Sequence, residues 1–316
     1  MKKILLTATA FLMLFSCQND QTESTTLPAN AIARRSCASQ DVLAAQMKAD
    51  PTLALRMNEI EAFTQKAMLT NRLVNGKVQI PVVVNVLYRT TSENISLTQI
   101  QSQIDVLNKD YNAGNSDFNS VPSLFSGVKA NVGISFVLDQ VIRKSTTYTS
   151  WGTSDAMKKT TYGGIAPTSP TTKLNLWVCT IGGGILGYAQ FPGGSSSTDG
   201  VAIDSKYIGT TGTATYPYNL GRTATHEIGH WMNLRHIWGD ANCGSDLVSD
   251  TPTHNDANYG VPAYPHYSTC SGTPVEMTMN YMDYTDDRGM YMFSNGQKSR
   301  MAALFVSGGS RASFGI

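Results

Sequence analysis

The chain has 316 residues, 41% of them apolar, and a formal net charge of +1. That length suits one catalytic unit plus an accessory segment, with ample apolar material for a core. Near-neutral charge without a basic stripe excludes a partner held by bulk charge, nucleic acid above all, and the absence of repeats or heptads excludes a solenoid or coiled coil.

The chain opens with MKKILLTATAFLMLFSC. Lys2 and Lys3 precede an apolar stretch, Ile4 to Phe15, that is too short to span a bilayer, so residues 1–17 read as an export signal. Leu14-Phe15-Ser16-Cys17 resembles a bacterial lipobox, which would make Cys17 the lipidated first residue of a membrane-anchored protein. The alternative is an ordinary signal whose Cys17 is discarded. Either route leads out of the cytoplasm, to the cell envelope, its surface or the medium, where disulfides form. Residues 18–36 are small and polar and read as a flexible tether. In 37–74 the apolar residues recur at helical spacing, and Pro51 stands where a second helix would start. This segment reads as a helical prosegment without a core of its own.

From about residue 75 the texture becomes that of an α/β domain reaching to 316. Val78 to Tyr88 is a β-branched run suited to a strand covered on both faces. Ile100, Ile104, Leu107 and Tyr111 form one helical stripe. Strands are expected at 132–141, 174–181 and 201–207, with a short one inside GGGILGYAQFPGG. A histidine-bearing helix follows, then an irregular half and a closing helix at NGQKSRMAALFVS.

The chemistry concentrates in HEIGHWMNLRH, residues 226–236. His226 and His230 are four apart, so on a helix both imidazoles face one zinc ion. Glu227 can then act as general base on the zinc-bound water. The bland alternative is an amphipathic helix with two satisfied surface histidines. A continuous helix would carry His236 about 9 Å along the axis and roughly 120° off the ligand face. The chain must therefore turn back near Asn233, and asparagine is the residue after glycine that best tolerates a left-handed conformation. His236 then becomes the third ligand.

HEIGHWMNLRHIWGD resembles the metzincin pattern H-E-x-x-H-x-x-G-x-x-H, with Asn233 for the glycine, and MNYMDYTDD resembles its Met-turn. With CGSDLVSDTP, IPVVVNVLY and GYAQFPGG, the run is most similar to the pappalysin family of metzincins, in its bacterial secreted branch. The resemblance implies a zincin fold with a mostly parallel twisted sheet, an active-site helix and an irregular lower subdomain. It implies His226, His230 and His236 as zinc ligands, Glu227 as base and Met282 as the Met-turn cushion. Tyr284 would hydrogen-bond the oxyanion. Asp287 would line the S1′ pocket and select a basic P1′ residue, with Asp286 as competitor and a solvated loop acid as the plain alternative. GYAQFP would be the edge strand to which a peptide substrate adds.

The resemblance also implies a Cys243–Cys270 disulfide and a structural Ca²⁺ near Asp246, Asp250 and Thr251, where the alternative is solvated loop acids. Cys37 would be a latency switch, folding back as a fourth zinc ligand; it could also be a stray thiol or a partner of Cys179. Cleavage at Arg34-Arg35, Lys66 or Arg72 would release the prosegment. The expected protein is an exported, monomeric zinc endopeptidase made as a zymogen and acting on protein or peptide substrates. Its rival is a non-catalytic zinc-containing surface lipoprotein that binds a protein partner.

Overall fold

The computed structural model describes residues 34–69 and 78–314, all within one compact unit. The export signal, Cys17, most of the tether and Arg72 lie outside the described residues. Among the described residues no helix is long and apolar enough to cross a membrane.

The segment expected as the prosegment folds as α1 (Ser39–Ala49) and α2 (Leu53–Leu69), with Pro51 in the turn between them. Asp50 ends α1 and accepts from the Thr52 backbone N–H at 3.0 Å, which satisfies a donor at the start of α2. The sheet begins with β1 (Val78–Tyr88), a central strand paired in parallel to β2 (Ile134–Ser145) and to β3 (Leu174–Cys179). β5 (Val201–Asp204) pairs in parallel with β3, and the short β4 (Gly187–Ala189) closes the sheet antiparallel to β5. The order is β2-β1-β3-β5-β4, which leaves β4 on the edge.

The other helices are α3 (Leu97–Asp110), α4 (Arg222–Trp231) and α5 (Asn295–Ala302). The expected stripe of α3 is buried, with Ile100, Ile104, Leu107 and Tyr111 in the main core beside the β1 valines. α4 packs against α3, β4 and β5, so the histidine helix lies beside the sheet edge. Strand ends differ from expectation where pairing decides. β2 continues past Val141 to Ser145 because β1 offers partners as far as Tyr88. β5 stops at Asp204, whose carboxylate turns back to accept from the Ile181 and Lys206 N–H groups at 2.7 and 2.9 Å. The tether also ends sooner than expected: Arg35 is buried, and the Ser36 carbonyl accepts from the Leu186 N–H at 2.9 Å.

Candidate active site

α4 ends as a chain with Asn in place of glycine must. Asn233 has φ 67°, the Leu234 N–H bonds the Gly229 carbonyl at 3.0 Å, and the Asn233 N–H bonds the His230 carbonyl at 2.9 Å. This is a Schellman stop with Asn233 at the left-handed position. Leu234 is buried behind the turn, and the Arg300 Nε donates to the Asn233 carbonyl at 2.9 Å. The reversal brings His236 back to the face that holds His226 and His230.

Each imidazole is aimed by its Nδ1. His226 donates to the Tyr281 carbonyl at 2.7 Å, His230 to the Leu234 carbonyl at 2.8 Å, and His236 to the Asp240 carboxylate at 2.5 Å. Those bonds put the proton on Nδ1 and leave Nε2 as a lone pair. The Nε2 of His230 lies 3.2 Å from that of His226 and 3.0 Å from that of His236. Three acceptors this close repel one another unless a cation sits between them. Burial and the neighbouring rings hold His226 and His230 well below the usual imidazole range, so both are neutral, as metal ligands need to be. The Cys37 sulfur completes the set: all four ligand atoms lie within 4.8 Å of one another. Three nitrogens and a sulfur suit zinc. Among the described residues no other group of three or more His, Cys, Asp or Glu side chains is arranged to hold a metal.

The Met-turn sits directly beneath. Met282 is fully buried, and a Cβ added to Gly229 would meet its sulfur at 2.5 Å. Gly229, inside the HEIGH run, is therefore what lets the turn approach α4. Gly187 has the same function at the edge strand, where an added Cβ would meet the Glu227 Cγ at 3.1 Å. Glu227 is thus held under β4. Burial pushes its carboxyl up to about 7, against the opposing pull of hydrogen bonds from Cys37 and Ser39.

A family model described as pregnancy-associated plasma protein-A matches residues 178–306. An extracellular metalloprotease of Pyricularia oryzae is 35% identical over 72% of this chain and 75% of its own. Mature mirolysin of Tannerella forsythia, solved with a cleaved peptide, is 41% identical with a TM-score of 0.75, covering 77% of this chain and 97% of that one. A point mutant of promirolysin from the same organism is 37% identical with a TM-score of 0.82, covering 89% of this chain and 97% of that one. The chain belongs to the pappalysin family. It is a metalloendopeptidase with the mixed α/β metzincin fold, which decides against a non-catalytic binding protein. The proenzyme match covers more of the chain than the mature one, in keeping with a zymogen whose prosegment is in place.

In this pappalysin the prosegment threads the cleft beside β4. The Ala38 N–H donates to the Gly187 carbonyl at 3.1 Å, and the Ala189 N–H donates to the Ser39 hydroxyl oxygen at 2.8 Å. The Cys37 thiol and the Ser39 hydroxyl both donate to the Glu227 Oε2, at 3.2 and 2.9 Å. The Tyr284 hydroxyl donates to the Cys37 carbonyl at 3.2 Å. Arg35 is ion-paired to Asp287 at 2.6 Å, with both side chains buried. The other oxygen of Asp287 accepts from the Leu220 N–H at 2.8 Å and the Arg222 N–H at 3.3 Å, which fixes the carboxylate at the start of α4. Of the two rival acids, Asp287 is the one paired with Arg35.

Cys243 and Cys270 form the expected disulfide, while Cys179 is a free thiol buried in β3, unpaired with Cys37. The acids expected at calcium are engaged separately. Asp246 accepts from the Thr251 hydroxyl at 2.8 Å, whereas Asp250 accepts from Ser294 and from the Gly296 N–H at the start of α5. Arg35, expected in the tether and beside a cleavage site, is buried here. Sequence reasoning also passed over Ser39, Asp240 and Glu61, whose carboxylate grips Arg300. Arg35 had a signal, because an S1′ carboxylate expected to take arginine would also take the chain's own.

Proposed function

We propose that this pappalysin is an exported zinc endopeptidase that cuts peptide bonds before Arg or Lys, kept latent by its own residues 34–69. The observation that carries the reading is the buried Arg35–Asp287 pair, two residues before a cysteine that faces the histidine triad. When bound by His226, His230 and His236, zinc supplies Lewis acidity to a water and to the scissile carbonyl. Glu227 takes the proton of the attacking water and returns it to the leaving amine. Tyr284, whose ring centroid is 5.7 Å from that of His226, donates to the developing oxyanion. Met282 supports the histidines from below. The substrate adds to β4 and places a basic P1′ side chain on Asp287.

Latency follows from chain direction. Arg35 precedes Cys37, whereas a P1′ residue follows the scissile carbonyl. The prosegment thus fills the cleft in the reverse sense, in parallel register at Cys37 and Gly187, and presents no peptide bond for attack. With zinc bound, Cys37 would be the residue placed to fill the fourth ligand position, while Ser39 hydrogen-bonds the base.

The test is peptide cleavage by the zinc-loaded full chain after limited proteolysis, with the activating protease then inhibited. A peptide library read by mass spectrometry should show cuts before Arg and Lys. These cuts should vanish with chelator, and in Glu227→Ala fall by about 10²–10⁴-fold with zinc still bound. Chelator-resistant cuts, or full activity in the variant, would sink the mechanism. Two further parts of the reading have their own tests. Lipidation at Cys17 would give a mass increment lost in Cys17→Ala. Calcium on the Asp246–Thr251 loop would raise the melting temperature of zinc-loaded protein, and no rise removes it.

A further inference from the structure

The residue before Arg35 also has a receptor. The Arg34 guanidinium carbon stands 5.1 Å from the centroid of the Tyr259 ring, within cation–π range, and Tyr259 is half exposed. The ring is not a free-swinging surface group. On one side Asn258 donates its backbone N–H to Asp283 at 2.8 Å and its side-chain amide to Glu276 at 2.8 Å. On the other side the Gly260 carbonyl accepts from the Asp286 N–H at 2.8 Å. Tyr259 is therefore strapped at both flanks to the segment that carries Tyr284 and Asp287. Its ring lies 6.0 Å from that of Tyr284, so the aromatic surface runs from the histidines outward to Tyr259. Burial pushes the Tyr259 phenol up, with Asp256 adding to the effect and the neighbouring Arg34 opposing it.

We propose that Tyr259 is a second specificity site of this peptidase, taking the cationic head of the residue that follows the one held by Asp287, so that cleavage is favoured before two consecutive basic residues. This rests on the reading of Asp287 as the P1′ receptor. The reversed prosegment supplies the register: moving along it away from Cys37, Arg35 meets Asp287 and then Arg34 meets Tyr259. A substrate running the other way meets the same two receptors with its P1′ and P2′ side chains. Successive residues of an extended chain point to opposite sides, as Arg35 inward and Arg34 outward do here. The selected chemistry is a cation over an aromatic face, satisfied by Arg or Lys.

The experiment uses the zinc-loaded full chain, activated by limited proteolysis with the activating protease then inhibited. Quenched peptides differ only at P1′ and P2′, carrying Arg-Arg, Arg-citrulline or Ala-Arg, citrulline being arginine's neutral near-isostere. The readout is the kcat/KM ratio of Arg to citrulline at P2′, in which any loss of folded enzyme cancels. Wild type should favour Arg about two- to five-fold, the range of an exposed cation–π contact. Tyr259→Phe should keep that ratio and Tyr259→Leu should bring it to about one. A wild-type ratio of one, or a preference that survives Tyr259→Leu, overturns the proposal while leaving Asp287 untouched. If Ala-Arg is cut as well as Arg-Arg, the Asp287 reading fails, and the Tyr259 site falls with it.

Discussion

At the scale of single residues, Asn233 and Asp287 show how one side chain serves both fold and site. Asn233 holds a positive φ, and its side-chain nitrogen is buried without a hydrogen-bond partner. Glycine would relieve both, at the expense of a more flexible unfolded chain. Asn233→Gly should therefore stay within about 1 kcal/mol of wild type and keep its zinc affinity. Asn233→Val, β-branched at a left-handed position, should cost about 1–3 kcal/mol and weaken zinc binding. Urea unfolding and a competitive zinc titration check both. Asp287 meets a buried guanidinium in the zymogen and, on the reading above, a substrate cation in the active enzyme. Asp287→Asn keeps an oxygen for the Leu220 and Arg222 N–H groups and loses the charge. Its kcat/KM toward P1′ Arg peptides should drop about a hundredfold, because an arginine in the pocket is left without its counter-charge. An unchanged P1′ profile would remove Asp287 from substrate selection.

Among elements, the decisive contact is α4 on the Met-turn. His226 is aimed by the carbonyl of Tyr281, Met282 lies under Gly229, and the Ile237 N–H bonds the Met282 carbonyl at 3.1 Å. Helix, returning strand and turn are thus one interlocked piece. Gly229→Ala pushes a methyl into the Met282 sulfur, and overpacking of this kind costs about 1–3 kcal/mol. The variant should melt several degrees lower and lose zinc more readily, whereas an alanine on the solvent face of α2 should do neither. The prosegment helices engage this piece from outside. Gln40 donates to Asp240, the carboxylate behind His236, at 2.7 Å, and Glu61 grips Arg300, which holds the Asn233 carbonyl. The prosegment thus touches the supports of the site from α1 and α2 as well as at Cys37.

For the whole molecule, the buried carboxylates set how stability responds to pH. Burial lifts Asp283 to about 7, despite hydrogen bonds from the Asn258 and Tyr284 N–H groups, while the unfolded chain ionises near 3.8. The folded state therefore binds the proton more tightly, so this residue's contribution is full below pH 4 and is lost as pH rises through about 7. Asp110, lifted to about 6, acts in the same sense. The melting temperature of Asp283→Asn minus that of wild type, both zinc-loaded, should rise between pH 4 and 7 and then level off. A flat difference would mean that Asp283 is ionised in the fold.

Local patterns wrote much of this protein into its sequence. The four-residue histidine spacing, the adjacent Glu227 and the need to reverse at Asn233 follow from helix geometry, which depends only on neighbours along the chain. The long β1 run, the α3 stripe and the two prosegment helices are legible for the same reason. Tertiary structure decided whatever joins residues far apart in sequence. Nothing local marks Glu61 as the partner of Arg300. Nor does it say that Arg35, which reads as tether and cleavage site, is buried against a carboxylate 252 positions away. A period or a spacing reports which face a residue occupies, whereas what meets that face depends on how the remote elements pack. The three histidines and the cysteine that faces them could therefore be expected from the string, whereas the Arg35–Asp287 pair that anchors the prosegment beside them could not.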